Sequence, residues 1–461
     1  MRILRNVLSV SVMTFIAVGG AHAASRTGED YIRAPMPPGV QVVPTELEGP
    51  VFADAQGHTL YKWPKRGLRN GDAGDVQGKT LCEDKIQQVN SGLMSPYPGG
   101  LELPELETRK SCTAMWPPLY AAADSKPVGE WTIIDRPDGR KQWAYEAWPI
   151  YSSILDKKPG DTLGGTTMSS ISEVGAVREP IGPDANVPSQ FRVSTNMRGR
   201  QVELRDGWSV YTYDGDNRNK SNCAGACLDG WQPVLAPDYA RPLGEWTTFE
   251  RSPGVRQWAF RAMPIYRYVN DRKVGGLDGS DIPRWHNVYT QMAPDLPQGF
   301  TMKKTLVGLV IGDSQQRTIY KYNCNDDALD QLSCDYPEAP QAYRYAVCGG
   351  GDPELCVKVF PYVIAPVGAK TGNTVWGTMY IDPKTGKRAT AKTPGALNVW
   401  TFRERPVYTF AGNRGYGDTK PTDINGHGWG EFNGSRNGFQ AMVYRDIYSN
   451  RDGEESNRSA Q

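Results

Sequence analysis

The residues of this chain best suited to chemistry are one close pair of cysteines and two clusters of carboxylates. Cys223 and Cys227 stand four apart. In an oxidising compartment such a pair forms a disulfide, and as thiolates it would hold a soft ion such as copper(I). Asp214, Asp216 and Asn219 form one oxygen-rich stretch, and Asp418, Asp423 and Asn425 ahead of Gly426 form another. Both have the carboxylate density that calcium uses, yet neither follows the full pattern of a calcium-binding loop, and turn-forming Asp and Asn account for both more simply. A third candidate is the apolar run Leu306 to Ile311 leading into Gly312-Asp313-Ser314, the look of a strand-turn nucleophile in lipase-like hydrolases, with Asp423 and His427 downstream. Against it, the helices of an α/β sheet are missing, and Asp313-Ser314 falls where Asp54-Ala55 and Asp206-Gly207 lie in the other copies of a repeat. An ordinary hairpin turn is the expectation. His58, His286 and His427 occur one per repeat, none with a ligand-spaced partner, so structural zinc is not expected.

The elements that must position these residues come from that internal repeat. Gln142-Trp143-Ala144-Tyr145 with Trp148-Pro149-Ile150-Tyr151 returns as Gln257-Trp258-Ala259-Phe260 with Met263-Pro264-Ile265-Tyr266, and again as Val399-Trp400-Thr401-Phe402 with Arg405-Pro406-Val407-Tyr408. The Trp lies eight residues before the Tyr in all three. Upstream stand Cys112 with Trp116, Cys227 with Trp231, and Cys356 with Phe360, and each copy opens on a strand phrase containing Tyr61, Tyr211 or Tyr320. A smaller rhythm runs inside the copies: a Tyr, an aromatic two places on, and an Asp or Asn three after that. It reads Tyr211-Tyr213-Asp216 and Tyr266-Tyr268-Asp271 in the second copy, and Tyr320-Tyr322-Asn325 and Tyr408-Phe410-Asn413 in the third. The first copy departs from it, with Arg66 in place of the acid after Tyr61 and Ser153 in place of the second aromatic before Asp156. Aromatics at i and i+2 share one face of a strand, so each half-unit reads as a strand ending in a polar turn.

These residues resemble the bacterial secreted-repeat lipoproteins that carry a Tyr-x-aromatic-x-x-Asp motif, a family whose function the resemblance leaves unassigned. The likeness covers three tandem units and includes Cys223-x-x-x-Cys227 with Trp231-Gln232-Pro233. The chain departs from the family in lacking a lipobox cysteine, in the Asn replacements of the third unit, and in insertions in units one and three. Since members can consist of a single unit, the resemblance implies that each unit is a domain.

Near-alternating Trp, Tyr, Phe and Ile with abundant Gly and Pro predict an all-β chain. The reading is three tandem repeat domains of short antiparallel strands, at 45–165, 196–292 and 300–445, with a single closed propeller-like ring as the alternative. Residues 1–23 have the order of a cleaved secretory signal: Arg2 and Arg5, an apolar run, then Ala21-His22-Ala23. Residues 446–461 are polar and charged, and disorder is expected there. No later segment is long and apolar enough for a membrane helix, and a net charge of +1 gives no field to collect nucleic acid. Eight cysteines, all after the signal, favour disulfides. The equivalence of Cys112, Cys227 and Cys356 suggests Cys82–Cys112, Cys223–Cys227 and Cys334–Cys356, leaving Cys324–Cys348, although four cysteines in one copy allow other connectivities. Trp143, Trp258 and Trp400 are expected in the core, whereas the variable Trp148, Trp208, Trp285 and Trp429 are the candidates for an exposed binding surface. The functional expectation is an exported, non-catalytic binding or scaffold protein of the cell envelope, periplasmic or secreted, whose partner is an envelope protein, a glycan or a small ligand. Alternatives are a periplasmic redox or metal-handling protein working through Cys223 and Cys227, with copper or calcium as the possible ions, and an enzyme with a site between domains.

Overall fold

The computed structural model describes residues 28–64, 66–68, 71–73, 75–85, 110–165, 179–196, 198–305, 308–323, 344, 348, 352–412 and 438–445. The leader, the C-terminal tail, Cys324, Cys334, Asp418, Asp423, Asn425, His427 and Trp429 lie outside these residues. The described chain is mostly short antiparallel strands in small sheets, none of them closed into a barrel.

The same elements recur in the same order three times. A lead hairpin opens each unit: Gln41–Pro44 on Pro50–Ala53, Phe191–Asn196 on Gly199–Leu204, and Thr301–Thr305 on Gly308–Gly312. The tyrosine strand follows, then a short helix bearing the second cysteine, at Cys112–Met115, Cys227–Gly230 and Pro353–Val359. A long hairpin comes next: Trp131–Asp135 with Lys141–Tyr145, Trp246–Ser252 with Val255–Phe260, and Trp376–Ile381 with Leu397–Phe402. The chain then returns to place the second motif tyrosine directly opposite the first, Tyr61 against Tyr151, Tyr211 against Tyr266, and Tyr320 against Tyr408. In the third unit the two tyrosines exchange both backbone bonds, at 2.7 and 2.9 Å, the tight pair of an antiparallel ladder. A closing strand, Glu179–Pro180, Trp285–Asn287 or Gly438–Ala441, finally pairs with the first tyrosine strand from its other side. Two of these, Glu179–Pro180 and Trp285–Asn287, lie in stretches rich in Pro, Gly and Asp. Composition marks turns there, but backbone pairing claims the residues between them.

The tyrosine pair divides each unit's core in two. On one side lie Trp143, Trp258 and Trp400, all at most 5 % exposed as expected. On the other side is a column of rings. In the second unit Tyr213 stacks on Trp285 at 4.5 Å, Trp285 on Trp231 at 3.5 Å and 4°, and Trp231 leans on Tyr268 at 4.6 Å. In the third, Tyr322, Phe439, Phe360 and Phe410 repeat the order, with Phe439 and Phe360 stacked at 3.7 Å. In the first unit the described rings at these positions are Trp63 and Trp116, at 6.2 Å. There Ser153 stands in for the fourth ring, and the core is completed by Leu155 and Leu163. Trp285 is thus 5 % exposed, contrary to its expected surface role. It comes from the closing strand, whose register against Tyr213 no local pattern reveals.

Among the described residues the cystines are Cys82–Cys112, Cys223–Cys227 and Cys348–Cys356. The third corrects the expected Cys334–Cys356 and Cys324–Cys348 pairing. Equivalence between repeats fixes where one cysteine lies but not which partner the insertion brings to it. In this unit the partner is Cys348, eight residues upstream and outside the helix Pro353–Val359 that carries Cys356.

Candidate functional site

The sequence signature assembles into a reciprocal lock. In the second unit the Tyr211 hydroxyl donates to both carboxylate oxygens of Asp271 at 2.7 and 2.8 Å, while the Tyr266 hydroxyl donates to Asp216 at 2.6 Å. Each tyrosine therefore bonds the acid of the other half-unit. Antiparallel pairing causes this, because the acid that follows one strand ends up beside the ring of its neighbour. In the first unit Tyr61 donates to Asp156 at 2.7 Å and Tyr151 donates to Asp75 at 2.7 Å.

Asp75 corrects the reading of Arg66 as the substituted position. Arg66–Leu68 pairs with Gly71–Ala73 as an inserted pair of strands, and beyond it the acid returns in its proper place. The second carboxylate oxygen confirms the equivalence. Asp75 accepts from the Leu81 N–H at 2.6 Å and Asp216 from the Asn222 N–H at 2.6 Å, six residues on in both cases, just ahead of Cys82 and Cys223. Asp156 accepts from the Leu163 N–H at 2.8 Å. These acids thus pin a loop as well as a ring.

Burial dominates the electrostatics of the lock. Desolvation pushes Asp156 up to about 7 against the opposing hydrogen bonds from Tyr61 and Leu163, and it raises Asp75 and Asp271 to about 6. The tyrosines move the same way, Tyr266 to about 12 and Tyr61, Tyr151 and Tyr211 well above the usual phenol range, first through burial and then through the adjoining carboxylate. A neutral or shared proton between phenol and carboxylic acid is the cheapest state in such surroundings.

A second conserved contact backs the lock in two units, and sequence reading did not single it out. Arg136 donates to the Cys82 carbonyl at 2.7 Å and to Gln142, while Arg251 donates to the Cys223 carbonyl and to Gln257 at 2.9 Å. Gln142 and Gln257 pass the chain of bonds on to the carbonyls of Ile150 and Ile265, at 2.8 and 2.9 Å. The signal was available in the alignment of Arg136-Pro137 with Arg251-Ser252 ahead of each Gln-Trp. In the third unit Val399 replaces the Gln, and buried Arg344 donates to Tyr362 at 3.1 Å and lies 5.2 Å from the Tyr408 ring.

The remaining candidates are placed as follows. Cys223 and Cys227 are bonded to each other, and Cys227 is half-buried whereas Cys82, Cys112, Cys223, Cys348 and Cys356 are buried. Asp214 turns outward to His286 at 3.0 Å while Asp216 turns inward to Tyr266, so the oxygen-rich stretch weighed as a calcium candidate is split between two faces of its strand end. Among the described residues no group of three His, Cys, Asp or Glu is placed to hold a metal. Asp313 spends its carboxylate on its own turn, accepting from the Gln315 and Arg317 N–H groups at 2.9 and 2.8 Å and pairing with the Arg317 guanidinium. Asp54 does the same for Gln56 and His58. Ser314 is the exposed tip of a capped turn, as expected. Trp148 and Trp208 are half-buried, the latter under the Arg267 guanidinium at 4.4 Å.

Residues 132–168 and 193–235 match a family described as a secreted repeat of unknown function. No curated protein and no solved structure matched. Each matched stretch holds one half of the lock, Tyr151 with Asp156 in the first and Tyr211 with Asp216 in the second. Those two stretches are thus similar to a secreted repeat of unknown function, the kind of repeat that the Tyr-x-aromatic-x-x-Asp signature resembles.

Proposed function

We propose that this protein is an exported, non-catalytic binding or scaffold protein of the cell envelope, and that its partner is another protein. The observation that carries this reading is a position repeated in all three units. After the aromatic-Pro phrase, Tyr120, Leu235 and Ile364 are 40, 50 and 54 % exposed, while their neighbours on either side pack inward. Backbone pairing explains the alternation: Val234, Val363 and Leu119 give their carbonyls to Trp258, Trp400 and Trp143 at 2.8–2.9 Å, so the next residue points away from the sheet. Tyr239 at 74 % and Val367 at 94 % extend the apolar surface in units two and three. A repeated large apolar residue in water is a contact surface more than a folding device.

The signature acids and tyrosines are occupied with one another, which supports a structural role for them. Glycan binding through tryptophan platforms is less favoured, since Trp148, Trp208 and Trp285 are half-buried or buried. No helix among the described residues is long and apolar enough to cross a membrane, and a periplasmic setting fits the paired cysteines. The test is a triple variant, Tyr120→Ser, Leu235→Ser and Ile364→Ser, compared with the parent for cross-linked partners in envelope fractions. The expected result is an unchanged melting temperature with at least a tenfold loss of the specific cross-linked protein. An identical cross-linking pattern, or a pattern dominated by glycan, would defeat the proposal.

A further inference from the structure

The three lead hairpins are alike except at the tip. Asn196 pairs with Gly199 and Thr305 with Gly308, so two residues separate the strands there, but Pro44 pairs with Pro50 and leaves the five residues 45–49 between them. The longer tip is internally braced. Thr45 donates its N–H and its hydroxyl to the Gly49 carbonyl at 3.0 and 2.7 Å, and its hydroxyl oxygen accepts from the Glu48 N–H at 2.9 Å. Gly49 closes the loop at φ +74°, which favours glycine.

The base of this hairpin belongs to the first unit. Phe52 sits in the core with Leu60, Trp131, Trp143, Ile150 and Ile181. The tip belongs to the third. One Glu46 oxygen accepts from the Thr374 N–H at 2.6 Å, the Thr374 hydroxyl at 2.8 Å and the Val375 N–H at 3.2 Å. Leu47, 4 % exposed, packs among Ile311, Trp376, Trp400, Phe402 and Val407. Glu48 pairs with Arg403 at 2.6 Å, with both side chains at most 10 % exposed. Arg403 also donates to Thr162 of the first unit at 2.6 Å. The second unit touches the same tip more lightly, through Gln291 on the Thr45 carbonyl at 2.7 Å.

We propose that the end of the third unit, formed by Thr374, Val375, Trp376 and Arg403, is a socket for a short acidic-leucine-acidic turn, and that Glu46-Leu47-Glu48 fills it as a latch joining the first unit to the last. The chemistry is specific. Two backbone N–H groups and a hydroxyl receive one carboxylate, an apolar hole receives the leucine, and a guanidinium with little access to water receives the second carboxylate. A buried Arg–carboxylate pair costs much when one partner is removed, so the latch closes as a unit. It makes three repeats one body and ties the completeness of the third core to a segment more than 300 residues away, as the Glu46–Thr374 separation of 328 records. This reading is independent of the exposed apolar positions.

Hydrogen exchange on the full-length protein tests it. Leu47→Asp is expected to speed exchange at least tenfold in Trp376–Ile381 and Leu397–Phe402, while Lys141–Tyr145 and Val255–Phe260, the equivalent strands of the other units, keep the parent's rates. A synthetic peptide of residues 41–53 added to the variant should restore slow exchange in the third unit, and the same peptide carrying Leu47→Asp should not. Unchanged exchange in the third unit, an equal loosening of all three units, or failure of the peptide to restore protection would overturn the latch.

Discussion

Phenol and carboxylate meet four times in the first two units, and each meeting joins two halves of a repeat that are 50 to 95 residues apart. The energetic weight of these contacts comes from burial. Removing the hydroxyl in Tyr266→Phe leaves Asp216 with a lost donor in a dry site and is expected to cost about 1–3 kcal/mol, measured by urea denaturation. The pH dependence follows from the raised acids. Asp75, Asp156 and Asp271 hold a proton more tightly when folded than the usual carboxylate value of 3.8 allows, so their contribution to stability is full below that value and is lost as pH rises through about 6 to 7. The melting temperature should accordingly climb as pH falls from ~7.5 to ~5, against the common acid-labile trend. Asp156→Asn should flatten that slope, because it removes the carboxyl with the largest shift. A melting temperature that falls steadily over this window would show that the buried acids stay ionised.

At the scale of elements, the return turn after each long hairpin takes a left-handed backbone at two successive non-glycine residues. Glu146-Ala147, Arg261-Ala262 and Arg403-Glu404 all have positive φ, between 48° and 65°. This is the two-residue turn that matches the twist of a hairpin and ordinarily takes Asn-Gly. None of the three sequences advertises it. In the first two units the turn is held by a neighbouring loop, the Ala147 carbonyl accepting from Gly78 N–H and the Ala262 carbonyl from Asn219 N–H, both at 2.7 Å. Ala147→Gly should relieve about 1 kcal/mol of left-handed strain, read as a higher urea midpoint with an unchanged slope. The ring column predicts a second contrast. Trp285→Ala should cost about 3–5 kcal/mol, as removal of a fully packed large ring does, and half-buried Trp148→Ala well below that. Comparable losses at the two positions would mean that Trp285 does not carry the column.

Across the whole molecule the units differ in self-sufficiency. The second has both tyrosine strands, its own lead hairpin, the Cys223–Cys227 bond and a closing strand, all between residues 187 and 293. A fragment of that span is expected to unfold cooperatively on its own, though less stably than in the parent, because buried Glu29 pairs with Arg200 at 2.9 Å and also accepts from Thr290. Near-ultraviolet circular dichroism through a urea titration checks this. A broad, featureless transition would show that the unit is not a domain.

Composition, repeat spacing and the signal-like start are properties of the chain read in order, and they determined the all-β class, the three copies, the secreted-repeat likeness, the core tryptophans and the reading of Asp313-Ser314 as a turn. Each rests on a local period, and local periods survive without knowledge of the fold. What is paired with what is not local. The sequence could not show that Asp75 resumes the motif behind an inserted pair of strands, that Cys348 reaches Cys356, that Trp285 enters the ring column from a closing strand, or that Glu46-Leu47-Glu48 finds its place in the third unit. Those outcomes were decided by antiparallel register and by burial. A one-residue change of register would exchange every inward side chain for an outward one, and only the packed molecule selects among the registers that the pattern leaves equally open.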